Sequence, residues 1–300
     1  MRQEGDQERG DDRLVPLGAD RALSPRHVDM ALRGLELARS LDALQVAAGQ
    51  YTTVRLPDDR SMGFLNIQDR RGDPSNEGWE YLGEARGTIT VPALKELGLW
   101  VSLDASRDLS PLATLEPSAL FFLGLQGTQV ADAGVAHIRS LTRLQGLALN
   151  DTAISDAGLA HFGGLANLRW LWLDHTAVTD AGLAHLRRLT RLEWLTLDGT
   201  SVTDAGLVHL TDLANLQLLQ LADTLVTDVG LVHLRGLTRL RELGLMNTAV
   251  TDAGLAHLAG LNNLQNVGLK NTAITDAGLV HLRGLTRLRS RVPGSGVREG

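Results

Sequence analysis

Residues 179–202 read TDAGLAHLRRLTRLEWLTLDGTSV, and this stretch decides the fold. Its opening motif, Thr179-Asp180-Ala181-Gly182-Leu183, returns with small changes at 131, 155, 203, 227, 251 and 275. The spacing is always 24 residues, with no insertion or deletion. A weaker copy occupies 107–130, so seven units fill residues 107–274 and a half unit follows at 275–288. A fixed period of this length marks a stacked repeat architecture. Within the unit, Leu183 and Leu186 have the spacing of one helical face, and Leu195 and Leu197 that of one strand face. Leu189 and Leu192 join the two elements. The pattern predicts a helix of about eight residues followed by a short strand. Thr179 is a good N-cap, and Asp180 suits the positive end of the helix dipole. A helix of about eight residues is shorter than the ~12–15 that stand alone in water. Stability must therefore come from stacking one coil on the next. Gly182 inside the helix costs about 1 kcal/mol relative to alanine. Close approach of the neighbouring coil is the expected reason.

The resulting pattern, L-x-x-L-x-x-L-x-L-x-x-T, resembles a leucine-rich repeat. Its T-D-A-G-L form, 24 residues long, is similar to a bacterial subclass of these repeats. Thr128, Thr152, Thr176, Thr200, Thr224, Thr248 and Thr272 stand where the family usually has an asparagine. There the asparagine ladder bonds backbone groups on the turn after the strand, and a threonine hydroxyl has the donor and acceptors to do the same. Asp108-Leu109-Ser110-Pro111-Leu112 also resembles the shorter repeat of internalin-type proteins. The resemblance implies an α/β solenoid, a horseshoe with a parallel sheet on its concave side and short helices on its convex side.

Both ends depart from the pattern. Residues 1–23 read as a disordered polar tail, and 24–106 as a diverged N-terminal repeat or cap region. Residues 28–46 align with 179–197, preceded by a Ser24-Pro25 helix start. An insertion at about 51–90 is expected to be loops with one or two strands, at 51–56 and 62–68. Residues 91–106 return to repeat spacing, with Leu99 and Val101 at strand positions. The solenoid proper is expected over 107–288, and 289–300 as a disordered tail. Arg291 and Pro293 fall where the next strand should be apolar, and proline cannot donate to the ladder. That leaves an uncapped sheet edge, where a second copy could pair.

Side chains alternate along a strand. If Leu195 and Leu197 point inward, Trp194, Thr196 and Asp198 face the concave side. The same rule puts Phe122, Trp170, Trp172, Asp174 and Leu218 there. Trp170 and Trp194 should be neighbours in one row, about 4.8 Å apart. Three of the five tryptophans thus fall on two adjacent strands. Each offers about 150–250 Å², enough together to rival the largest apolar patch usual on a monomer, roughly 300–600 Å². Asp174, His175 and Asp198 rim this patch and would suit a basic or aromatic-rich protein partner.

Composition removes several other functions. The chain has 300 residues, 43% of them apolar, and a net charge of −6, which gives no global field toward nucleic acid or an anionic membrane. It has no cysteine, and hence no disulfide, thiolate metal site or cysteine nucleophile. Lys95 and Lys270 are its lysines, neither follows a glycine, and the phosphate-loop motif is absent. No cofactor is expected. Histidine recurs at 137, 161, 185, 209, 233, 257 and 281, late in each short helix, and is read as part of the repeat rather than as a metal stripe. Arg143, Arg191, Arg239 and Arg287 alternate with Asn167, Asn215 and Asn263, so a 48-residue period overlies the 24-residue one. Paired duplication, and separation of like charges, are the expected accounts.

No apolar run follows the charged residues 1–13, and no stretch is long enough to span a membrane. A cytoplasmic location is expected, with export that needs no cleavable signal left open. The expected function is non-enzymatic protein recognition on the concave sheet, centred on Trp170, Trp172 and Trp194. The alternative is a substrate-recognition subunit or translocated effector of a degradation machine. It is weakened by the lack of a convincing F-box in residues 1–90. A third reading, a truncated gene product, rests on the uncapped C-terminal edge.

Overall fold

The computed structural model describes residues 51–69, 79–92 and 95–289. The expected first unit at 28–46, the polar tails up to 23 and from 290, and positions 291 and 293 lie outside the described residues. Eight parallel strands form the concave sheet: β5 (Lys95–Val101), β6 (Phe122–Gly124), β7 (Gly146–Ala148), β8 (Trp170–Trp172), β9 (Trp194–Thr196), β10 (Leu218–Gln220), β11 (Glu242–Gly244) and β12 (Asn266–Gly268). Each strand pairs with the next in sequence, without a register shift. Leu99 faces Leu123, and the column runs through Leu147, Leu171, Leu195, Leu219 and Leu243 to Val267. These side chains, with the leucines of the helical turns, form one continuous core that runs the length of the stack. The architecture is a leucine-rich-repeat solenoid.

The insertion corrects the sequence reading. It holds four strands rather than one or two: β1 (Tyr51–Arg55), β2 (Gly63–Asp69), β3 (Glu80–Glu84) and β4 (Thr88–Pro92). β1 and β4 form their own antiparallel pair. β2 lies antiparallel along β5, and β3 antiparallel along β2, so the concave sheet reaches ten strands. A reversed strand covers the outer edge of the first parallel one. Met62, Leu65 and Ile67 extend the core beneath it.

The convex helices are shorter than expected. Most coils make four α-helical residues and then a 3₁₀ turn, as in Asp204–Leu207 followed by Val208–Leu210. Asp180–Leu186 is continuous over seven. Hydrogen bonds between coils explain why such short turns persist. In six of these motifs, from Asp132 to Asp252, the aspartate accepts two bonds from the next coil. Thr203 donates its backbone N–H to Asp180 Oδ1 at 2.7 Å and its hydroxyl to Asp180 Oδ2 at 2.6 Å. The Thr203 hydroxyl in turn accepts from Ala205 N–H and caps its own helix. The same clasp joins Asp132 to Ser155, Asp156 to Thr179, Asp204 to Thr227, Asp228 to Thr251 and Asp252 to Thr275. The motif's glycine makes room for it, because a Cβ on Gly206 would lie 2.3 Å from Asp180 Oδ1. The expected close approach is thus a carboxylate of the preceding coil.

The threonines after the strands act locally. Thr200 Oγ1 donates to the Leu197 carbonyl at 2.6 Å, and its six counterparts do the same to the leucine three residues before them. The residue before each threonine has positive φ: Gly127, Asp151, His175, Gly199, Asp223, Asn247 and Asn271. Apart from glycine, these are the residue types that enter the left-handed region most readily.

Candidate functional site

The outward positions of the strands form three rows across the concave face. The first runs Gly98, Phe122, Gly146, Trp170, Trp194, Leu218, as the pairing of Trp170 with Trp194 requires. The second contains Trp100, Gly124, Ala148, Trp172, Thr196 and Gln220, and the third Asn150, Asp174 and Asp198. Every candidate residue faces this side. They are not equally open. Trp170 is 3% exposed and Phe122 is 4% exposed, whereas Trp172, Trp194, Leu218, Asp174 and Asp198 are partly buried. The expectation of an accessible Trp170 and Phe122 is therefore corrected.

The cause is the alternation of glycine with aromatic rings. A Cβ on Gly146 would sit 2.4 Å from Phe122 Cδ2, and one on Gly124 2.7 Å from Trp100 Cδ1. The rings lie along the sheet, over the backbone of the next strand, instead of standing out from it. They also cover one another. Trp79 meets Trp100 edge-on at 5.0 Å, Trp100 stacks on Phe122 at 4.9 Å, Phe122 meets Trp172 at 5.8 Å, and Trp172 meets Trp194 at 6.5 Å. All five tryptophans join one chain of ring contacts, with Trp170 entering through Phe121 at 5.7 Å, Phe121 lying 6.3 Å from Trp79. Arg169 closes over Trp170, its guanidinium carbon 4.4 Å from the ring centre, held there by two 2.9 Å bonds to Glu193. Edge-to-face and offset pairs are worth about 0.5–1.5 kcal/mol each beyond their buried area. Phe122 and Trp170 are the buried members of this chain, whereas Trp79, Trp100 and Phe121 are partly exposed. At its acidic end Trp172 and Trp194 are also partly exposed, beside Leu218.

Sequence reasoning missed Phe121 and two of the tryptophans. Trp100 was within reach, because it stands between the inward Leu99 and Val101. Trp79 gave no signal, since only the folding of the insertion brings it over Trp100.

The acidic side of the patch is hydrogen-bonded rather than loose. Asp174 accepts from Asn150 Nδ2 at 2.7 Å, Thr196 Oγ1 at 2.6 Å and the Asp198 N–H at 2.9 Å. Asp198 accepts from the Ala222 N–H at 2.7 Å. Burial pushes the Asp198 carboxyl up to about 6, and the neighbouring Asp174 and Asp223 carboxylates push the same way. The Ala222 N–H and His175 oppose them. A cation arriving beside Asp198 would meet a carboxylate crowded by those of Asp174 and Asp223. Among the described residues, no three histidine, aspartate or glutamate side chains converge as a metal-binding group, and no helix is long and apolar enough to cross a membrane.

No protein-family model and no curated protein matches the chain. Among solved structures, it is similar to the internalin inlF of Listeria monocytogenes, at 25% identity over 61% of this chain, with a TM-score of 0.48. Internalin C2 of the same species is 28% identical over 61% of the chain and 81% of its own, with a TM-score of 0.45. A leucine-rich-repeat protein of Leptospira interrogans is 22% identical over 57% of this chain and 42% of its own, with a TM-score of 0.46. The chain spans just over half of inlF, 56% of its length.

Proposed function

We propose that this chain is a non-enzymatic recognition scaffold that takes a basic segment of a protein partner on its concave sheet. The observation that carries this reading is the end of the aromatic chain that adjoins the carboxylates. Trp172, Trp194 and Leu218 are partly exposed on three consecutive strands, directly beside the carboxylates of Asp174 and Asp198. Tryptophan is enriched among interface hot spots, where truncation costs about 2 kcal/mol or more. A pre-stacked tryptophan loses little side-chain freedom on binding, which lowers the ordering penalty. A lysine or arginine of the partner would pack its stem on the indoles and bring its charge to Asp198. Trp170 and Phe122 belong to the platform beneath rather than to the contact.

The test is affinity capture and direct titration with wild type, a Trp172→Ala/Trp194→Ala variant and Asp198→Asn. Trp170 is left intact so that the platform survives. A partner that binds wild type and loses about thirtyfold or more on the double variant, the equivalent of 2 kcal/mol, supports this face. Equal binding by all three proteins overturns it.

A further inference from the structure

A second surface lies along the rim where each strand begins. Arg143, Arg191, Arg239 and Arg287 stand there, one in every second coil, and all four are exposed. The asparagines between them are structural clamps. Asn167, Asn215 and Asn263 each donate Nδ2 to the carbonyl of Thr142, Thr190 or Thr238 in the preceding coil, at 2.7, 2.8 and 2.7 Å. Each Oδ1 then accepts from the arginine of the following coil, Arg191 at 2.5 Å, Arg239 at 2.6 Å and Arg287 at 2.6 Å. The 48-residue period is therefore a bonding period, with two coils forming one arginine-on-asparagine unit. A guanidinium carries five N–H donors, and the clamp uses one of them.

The rim is also strongly cationic for an acidic protein. Two residues further along the coils stand Arg169, Arg241 and Arg289, with Glu193 the one carboxylate in the two rows. Seven arginines against one glutamate give +6 on this edge, while the whole chain carries −6. Two hollows open between the arginines. One of about 700 Å³ includes Arg143, Arg191, Asn167 and Gln145 in its lining. The other, of about 170 Å³, is lined by Arg239, Arg241, Asn263 and Gln217.

We infer that this rim is a docking rail for an extended acidic peptide segment, in polyproline II conformation, with a carboxylate at every third residue. Spacing selects the conformation. Strands lie about 4.8 Å apart, so arginines two coils apart are separated by ~9.6 Å. One turn of polyproline II takes three residues at about 3.1 Å each, or ~9.3 Å, and returns every third side chain to the same side. A β-strand returns its side chains every ~6.6 Å and matches neither one coil nor two. The planar fork of arginine pairs with carboxylates through two parallel bonds. Single-stranded nucleic acid fits less well, because such sites combine charge with aromatic faces for the bases. Of the rings adjoining this rim, Trp170 is covered by Arg169, and Phe121, which lines the larger hollow, packs against Trp79 and Trp170, so no row of open rings follows the arginines.

The experiment is fluorescence anisotropy with the full chain and a labelled peptide of one Glu-Pro-Pro triplet for each of the four rail arginines. Two controls carry the same charge: a peptide with glutamate at every second position, and an oligothymidylate. The triplet peptide is expected to bind most tightly. Arg191→Gln/Arg239→Gln should weaken it about tenfold, the sum expected for two exposed ion pairs. Asn215→Ala, which keeps every charge, should weaken it severalfold by releasing Arg239. These side chains are exposed or partly so, and unchanged circular dichroism would show that each variant is folded. Failure of the triplet peptide to bind, equal binding of the alternating peptide, tighter binding of the oligothymidylate, or indifference to both substitutions would each overturn the rail.

Discussion

Asp180 and Gly206 belong to different coils, and each explains the other. The carboxylate of Asp180 takes the N–H and the hydroxyl of Thr203. Gly206 faces its Oδ1 with no Cβ to obstruct it. By helix propensity alone, Gly206→Ala should stabilise by about 1 kcal/mol. Here the sign is expected to reverse, to a loss of about 1–3 kcal/mol from overpacking. Asp180→Ala should cost about 1–3 kcal/mol, since Thr203 loses both acceptors. The double variant should lose less than the sum, because the added methyl then has space. Urea unfolding of the four proteins measures this, and strict additivity would show that the two residues do not meet. Asp198 makes a second prediction at this scale. Its carboxyl is raised from 3.8 to about 6, so the folded state holds the proton more tightly than the unfolded chain. The stability this gives is complete below the unfolded value and is lost as pH rises through about 6. Asp198→Asn should therefore be more stable than wild type at pH 7, by on the order of 1 kcal/mol once solvent screening of a half-exposed group is allowed for. The advantage should fade by about pH 4. Thermal melts at the two pH values check it, and a pH-independent difference would refute the assignment.

At the scale of the element, the telling piece is β2. It is antiparallel, it comes from the insertion, and it pairs with β5 along seven residues from Gly63 to Asp69. The parallel strands pair over only three residues. The outermost parallel strand therefore has the longest partner in the sheet. Leu65, 0% exposed, anchors β2 to the core beside Leu99. Leu65→Ala should cost about 2–5 kcal/mol. Because each coil contacts mainly its neighbours, the damage should stay local. Hydrogen exchange should quicken in β2, β5 and β6 and remain unchanged in β10 and β11. A uniform rise along the sheet would contradict a quasi-one-dimensional stack. The convex turns carry the same logic. Four α-helical residues do not persist by themselves, and here the clasp to the preceding coil and the cap from the helix's own threonine hold them.

For the molecule as a whole, the core is one column of leucines whose exposure changes only near its end. Leu195 and Leu219 are 0% exposed, Val267 7% and Leu269 9%. Native-state exchange should accordingly be slowest in β8–β10 and faster in β12, after which Leu279 is exposed although its counterparts Leu183 and Leu207 are fully buried. Equal protection of β9 and β12 would count against this. The charges are distributed as unevenly as the protection. The concave face holds acidic groups beside aromatic rings, and the strand-entry rim holds seven arginines. A net charge of −6 averages two surfaces of opposite character. These surfaces suit partners of opposite charge, and the two binding experiments can be run independently on one protein.

The sequence by itself determined the solenoid, the register of the strands and the face each side chain takes. It could do so because those follow from period and alternation, which are local and repeated seven times. The N-cap role of Thr179 and the need for a glycine at 182 belong with them. Tertiary structure alone decided which concave residues are open. Burial of Trp170 and Phe122 depends on rings that lie over glycines of adjacent strands and on Trp79, which arrives from the insertion. It also decided the edge, where β2 reverses to cover β5. The Asp–Thr clasp and the arginine–asparagine clamp join residues 23–25 positions apart, or one coil. Their periodicity is visible in the sequence. Their bonding is not, because it depends on which atoms stacking brings within 3 Å of each other.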